Sequence, residues 1–173
     1  SPEDSVFQTA LSEKVRVFRV GGASRAETVR NGVSVLLEQG LAEAQDNILV
    51  HDAARCCLPA EALTRLLDEA GENDEGGILA IPVADTLKRA DGSHHIDETV
   101  ARAGLWQAQT PQLFQTALLN RALSVDDLSE ITDEASAVEK LDVRPRLVQG
   151  DTRNLKLTLP QDEYIVRLLL KAV

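Results

Sequence analysis

Aromatic side chains are scarce in this chain of 173 residues: they make up 3%, with 1 Trp, 1 Tyr and 3 Phe. A core with so few rings has to be built from Leu, Val, Ile and Ala. Cysteine is scarcer, with only Cys56 and Cys57, which are adjacent. Neighbouring cysteines bridge only with backbone strain, and no second pair is present to complete a metal site. They read as small apolar fillers, with a reactive thiol as the alternative. No apolar run approaches the roughly 20 residues that a membrane span needs. The opening Ser1-Pro2-Glu3-Asp4 is acidic and has no signal-peptide pattern. A cytoplasmic protein without a membrane partner is expected. Positive charge is also short: 18 Lys and Arg stand against 28 Asp and Glu, a formal net charge of −10. Sequence-independent nucleic-acid binding rests on cations neutralising phosphates, so a nucleic-acid partner is excluded. If the chain binds a small anion, it must gather a few cations locally in a cleft. Each well-placed Arg or Lys is therefore informative.

What is present suits one globular domain over residues 1–173, with 43% hydrophobic and 27% charged residues. Ser1-Pro2 reads as a helix start. Val15–Val20 is a β-rich run ending at Gly21-Gly22, and Arg25–Gln39 is helical, with Val29, Val33, Leu36 and Leu37 on one face and Gly40 as terminator. Asn47–His51 predicts a strand buried on both faces, Pro59–Leu67 a helix and Gly77–Val83 another strand. Alternating helices and strands imply an α/β fold, a mostly parallel sheet with helices on both faces. Asp85–Gln109 breaks that rhythm. Two polar stretches, Asp85–Arg89 and His95–Val100, flank the turn signal Ala90-Asp91-Gly92-Ser93. Such a hairpin cannot bury itself and predicts a projecting β-arm at about 84–104. Gln115–Leu123 and Thr132–Leu141 read as helices, the latter capped by Thr132 or Asp133. Val143–Val148 and Asn154–Thr158 read as strands, and Pro160 opens a closing helix.

Four stretches could carry chemistry. In Leu49-Val50-His51-Asp52-Ala53-Ala54-Arg55, Asp52 and Arg55 follow a predicted strand, where open sheets bind ligands. The Asp suits a metal or a sugar hydroxyl and the Arg a phosphate; a capping Asp and a solvated Arg remain the alternative. Gly21–Thr28 joins a strand to a helix N-terminus, which favours anions or carbonyls, yet it is neither a GxGxxG nor a P-loop. In Arg102–Gln112, Trp106 reads as core, and Thr110-Pro111 forces an extended conformation that could present the Thr hydroxyl. Lys156, between Leu155 and Leu157, either faces solvent on a strand or points into a site. His51, His94 and His95 lack partners at metal-ligand spacing, and the last two read as solvated.

These stretches together resemble the methylerythritol-phosphate cytidylyltransferases of the non-mevalonate isoprenoid pathway. The matching strings run from Gly21 to Val29, Leu49 to Arg55 (LVHDAAR), and Pro82 to Arg89 (PVADTLKR). They continue from Gly104 to Phe114 (GLWQAQTPQLF), Ile131 to Glu139 (ITDEASAVE) and Asn154 to Asp162 (NLKLTLPQD). The resemblance implies a Rossmann-like α/β domain in a homodimer that exchanges its β-arms, with CTP and 2-C-methyl-D-erythritol 4-phosphate as substrates. It implies that Arg102 and Lys156 position the phosphorylated polyol for attack, and that Asp52, Arg55, Thr86 and Thr110 line the same site. Gly22, Thr28, Ala53 and Lys156 fall on the CTP side, while Thr86 and Arg102 act on the partner's site. Mg2+ is implied as cofactor, bound mainly through the CTP phosphates, with no metal-ligand cage in the protein. Another nucleotidyltransferase of the same fold, or a non-catalytic dimerising shell, is the alternative. The family also has a strand and a Gly-rich loop bearing Arg, Pro, Lys and Gln ahead of the first matching string. No stretch of this sequence matches that segment. Ala23 stands where relatives often place a polar side chain near the base, and Cys56 replaces the Pro usual after the Arg.

Overall fold

A computed structural model describes residues 12–171, so the helix start expected at Ser1 lies outside the described residues. The elements follow in the order α1 (Arg25–Glu38), β1 (Asn47–Val50), α2 (Ala60–Ala70), β2 (Gly77–Pro82), β3 (Leu87–Ala90), β4 (Ile96–Val100), β5 (Trp106–Gln115), α3 (Thr116–Leu123), α4 (Glu134–Glu139), β6 (Arg146–Gln149) and α5 (Asp162–Lys171). Among the described residues the strands form a 4-stranded sheet in the order β1-β5-β2-β6 and a 2-stranded sheet of β3 and β4. The α/β class expected from the sequence stands. The sheet is mixed, however: β6 runs parallel to β2, whereas β5 runs antiparallel to it with a bulge between Ile78 and Ala80. Strand β5 is an addition to the expected strands, and it takes up Thr110-Pro111, which was expected to be extended.

The chain divides into two compact units, Ser1–Ile48 with Phe114–Arg144 and Leu49–Leu113 with Pro145–Val173. In the first, Ser24 caps α1 by accepting from the Glu27 amide at 3.1 Å, and Gly40, with a φ of 62°, lets the chain turn away behind it. Helix α1 packs against α3, burying Ala26 and Val33, while α3 buries Leu119, Ala122 and Leu123 and packs on α4. Asp133 caps α4 in a reciprocal box with Ser136, as its position suggested. Val15–Val20 forms no strand. Val15 and Val17 stay 49% and 44% exposed, and the Val20 carbonyl accepts from the Asn31 side chain at 2.9 Å instead of joining a ladder.

In the second unit, α2 packs on β2 and β6 over a core of Ala62, Leu66, Ala70, Leu79, Leu113 and Val148. Each buried Leu contributes roughly 1.5–3 kcal/mol. Gly77 permits this approach, because a Cβ there would lie 2.6 Å from the Ala70 methyl. Strand β1 is an edge strand of alternating exposure, not one buried on both faces. Asn154–Thr158 is no strand either, and its course belongs to the site below. Strands β3 and β4 form the expected polar hairpin, with only Leu87 and Val100 partly covered. Asp91 ties its turn by accepting from the amides of Ser93 and His95. Trp106 is 38% exposed where core was expected, because it enters β5 beside Pro82 at the end of the ladder. Cys56 is exposed and so is no filler. Cys57 is half-buried, and burial, with Cys56 beside it, pushes its thiol up.

Candidate functional site

Beyond β1 the chain turns through His51–Arg55, and Thr110 of β5 holds that turn in place. The Asp52 amide donates to Thr110 Oγ1 at 2.9 Å, which leaves the Thr hydroxyl to donate to His51 Nδ1 at 3.1 Å. His51 Nε2 then donates to the Arg55 carbonyl at 2.9 Å, closing the loop with a single tautomer. Thr110, 4% exposed, therefore orders the turn instead of presenting a loose hydroxyl. Its peptide bond to Pro111 is cis.

Residues 154–158 lie against this turn. The Leu157 amide donates to the Ala54 carbonyl at 2.9 Å, and Arg55 Nη1 donates to the Asn154 carbonyl at 2.7 Å. This course carries Lys156 Nζ to 3.1 Å from Asp52 Oδ2, with Arg55 Nε 3.8 Å from the same oxygen. Asp52 and Arg55 are mostly buried, whereas 46% of the Lys156 side chain faces solvent. Burial draws the Arg55 guanidinium below its ordinary value and Asp52 opposes the shift. By formal charge the cluster carries a net excess of one cation, Arg55 and Lys156 against Asp52. Arg55 Nε makes no hydrogen bond, since 3.8 Å is too long for one. A buried donor without an acceptor, beside a solvent-facing Lys, suits an anionic oxygen.

The sequence strings therefore converge on four of the expected residues, Asp52, Arg55, Thr110 and Lys156, with Ala53 exposed in the same turn. Thr86 and Arg102 sit at the base of the hairpin. Thr86 is exposed, and Arg102 Nη1 donates to the carbonyls of Val83, at 3.3 Å, and Ala84. Arg102 lines an open cleft of about 870 Å³ with Pro82, Asp85, Gln107, Gly150 and Thr152 among its walls. In the first unit, Gly22 and Thr28 are joined directly: the Gly22 amide donates to Thr28 Oγ1 at 3.0 Å. A Cβ on Gly22 would stand 2.4 Å from the Glu27 Cβ, so only glycine fits. The Ala23 amide is held by the Glu27 carboxylate at 2.6 Å.

Sequence reasoning missed the residues that hold these groups still. Asn154 is fully buried and donates to the Thr110 carbonyl at 2.8 Å, and Gln109, 5% exposed, donates to the Asp151 carbonyl at 2.9 Å. A buried amide has no periodicity to announce it; the one available signal was its place inside a matching string. His51 was set aside for want of metal-ligand partners, yet it is part of the hydrogen-bonded turn.

Among the described residues, no group of three or more His, Cys, Asp or Glu side chains could cage a metal. One carboxylate, Asp52, stands among the cations. That donor set fits magnesium, which takes one or two carboxylates plus substrate phosphates, and does not fit an all-protein calcium or zinc site. No helix among the described residues is long and apolar enough to cross a membrane.

Comparison with known proteins shows the family. The chain is 70% identical over 176 residues to a 2-C-methyl-D-erythritol 4-phosphate cytidylyltransferase of Neisseria gonorrhoeae, covering 100% of this chain and 76% of that protein. It is 52% identical over 162 residues to the protein of that name from Thiobacillus denitrificans, covering 91% of this chain and 68% of the other. A crystal structure titled 4-diphosphocytidyl-2C-methyl-D-erythritol synthase superposes with a TM-score of 0.90 at 68% identity, over 98% of this chain and 79% of that one. The Thermus thermophilus cytidylyltransferase superposes at 0.76 with 28% identity, over 93% and 80% respectively. Residues 1–172 match the family described as IspD, 2-C-methyl-D-erythritol 4-phosphate cytidylyltransferase, and the chain belongs to that family.

Proposed function

We propose that this chain transfers the cytidylyl group of CTP to 2-C-methyl-D-erythritol 4-phosphate and releases pyrophosphate, in isoprenoid precursor synthesis. The observation that carries this reading is the convergence of Lys156, Arg55 and Asp52 beyond β1 in a chain of net charge −10. An oxygen of the polyol phosphate attacks the α-phosphorus of CTP, the α–β bridging P–O bond breaks, and pyrophosphate leaves with the electron pair. A phosphate monoester is already anionic near neutral pH, so no strong base is needed. What the site must supply is approach of two anions and neutralisation of developing charge.

In this reading Lys156 lies between the two substrates and neutralises the transferring phosphate. Arg55, Asp52, Thr110 and Thr86 line the polyol phosphate, and Arg102 steers its phosphate from the partner chain's arm. Gly22, Thr28 and Ala53 meet the nucleotide. Magnesium, held mainly through the CTP phosphates with Asp52 able to share it, would lower the charge between the two anions when bound. The chain works as one nucleotidyltransferase domain with its arm at about 84–104, in a cytoplasmic homodimer without nucleic-acid or membrane partners.

Pyrophosphate release measured across a panel of nucleoside triphosphates and phosphorylated polyols tests this. The expected result is rapid release only for CTP with methylerythritol phosphate. A faster different pair would move the chain to another nucleotidyltransferase activity on the same fold, and release from no pair would leave a binding shell.

A further inference from the structure

The string Ile131–Glu139 has no part in the chemistry above, yet it contains one of the most deeply buried charges described. Glu134 is 1% exposed and receives a bidentate pair of hydrogen bonds from Arg25, at 2.6 Å from Nη1 and 2.9 Å from Nη2. Burying a carboxylate is costly unless a well-shaped partner meets it, and the two-pronged guanidinium contact is the geometry that does so. Both ends are held firmly. Glu134 opens α4, whose start is locked by the Asp133–Ser136 box, and Arg25 opens α1 directly behind its cap Ser24.

Arg25 sits inside the Gly22–Thr28 loop, whose amides are directed inward by its own helix. Gly22 is tied to Thr28, Ala23 to Glu27, and Thr28 Oγ1 donates to the Ser24 carbonyl at 2.9 Å. The loop is thus tied to the first turn of α1. The bidentate contact fixes where that turn stands in its unit.

We infer that Glu134 is a positioning residue for the nucleotide: through Arg25 it fixes the Gly22–Thr28 loop and thereby sets affinity for CTP. The inference rests on the reading that this loop meets the nucleotide. Steady-state kinetics with both substrates, in the full chain, test it. Glu134→Gln keeps the shape but loses the charge, and KM for CTP should rise about tenfold while kcat and KM for methylerythritol phosphate stay within about twofold. Arg25→Lys keeps the charge with a single contact and should give a smaller rise, about threefold, again confined to CTP. It carries the test if Glu134→Gln does not fold. A merely structural pair would lower the melting temperature and the amount of active enzyme without separating the two KM values. Unchanged KM for CTP in folded variants, or an equal rise in both KM values, overturns the inference. Thr28→Ala separates the two failures. If it raises KM for CTP while Glu134→Gln does not, the loop meets the nucleotide and Glu134 does not position it. If Thr28→Ala also leaves KM for CTP unmoved, the nucleotide reading of the loop fails, and the inference with it.

Discussion

Lys156 reaches Asp52 across 3.1 Å while nearly half of its side chain, 46%, stays in solvent. Solvent screens the Lys156 end of the pair with the mostly buried Asp52, so the pair adds only about 1 kcal/mol to stability. Asp52 keeps Arg55 beside it when Lys156 is removed, so no uncompensated buried charge results. Lys156→Ala should therefore lower turnover by on the order of a hundredfold, as when a transition-state cation is lost, and leave the melting curve nearly unchanged. Near-normal turnover would return Lys156 to the solvated surface. Their place at a predicted strand end marked Asp52 and Arg55 as candidates, with a capping Asp and a solvated Arg as the alternative. Lys156 between two leucines was undecided, because spacing on a presumed strand allows either face. The contact arises because residues 154–158 leave the sheet and lie against Ala54. Asn154 and Gln109, which hold that course, are polar residues whose burial depends on distant neighbours and leaves no local pattern.

The segment bearing Lys156 is tied to the start of α5. Asp162 Oδ2 accepts from the amides of Leu159 at 2.8 Å and Thr158 at 2.9 Å, and the Thr158 hydroxyl donates to the Lys156 carbonyl at 3.0 Å. Those amides, Leu159 first and Thr158 next, hold the Asp162 carboxyl below its usual range. A carboxyl depressed by folding stabilises the fold above its ordinary value of about 3.9 and loses that contribution as pH falls through the folded value. Asp162→Asn should accordingly be less stable than the parent near neutral pH, with the gap closing as the solution is acidified through that range. Melting curves of both proteins against pH check this; a gap of constant size would contradict it. Helices with local end signals were the most legible elements, since Asp133 and Gly40 act within one turn. Strands were less so. Val15–Val20 has strand composition yet forms no strand, whereas β5 pairs with β2 although only Thr110-Pro111 was expected to be extended.

The hairpin of β3 and β4 bears most directly on how whole molecules work together. Ile96 is 67% exposed, and among the described residues no side chain of the hairpin joins the core of Ala62, Leu66, Ala70, Leu79, Leu113 and Val148, as its polar sequence suggested. Arg102 at its base is held to Val83 and Ala84, a fixed direction for a group proposed to serve a second chain. The claim that one site joins Lys156 of one chain to Arg102 of another is tested by mixing inactive variants. Arg102→Ala homodimers and Lys156→Ala homodimers each lose both sites. When subunits exchange, random pairing makes half of the dimers mixed, and each mixed dimer regains one of two sites in a closed two-fold assembly, so roughly a quarter of the parent activity should return. With exchange verified by native mass spectrometry, no return of activity would contradict an arm that acts on its partner.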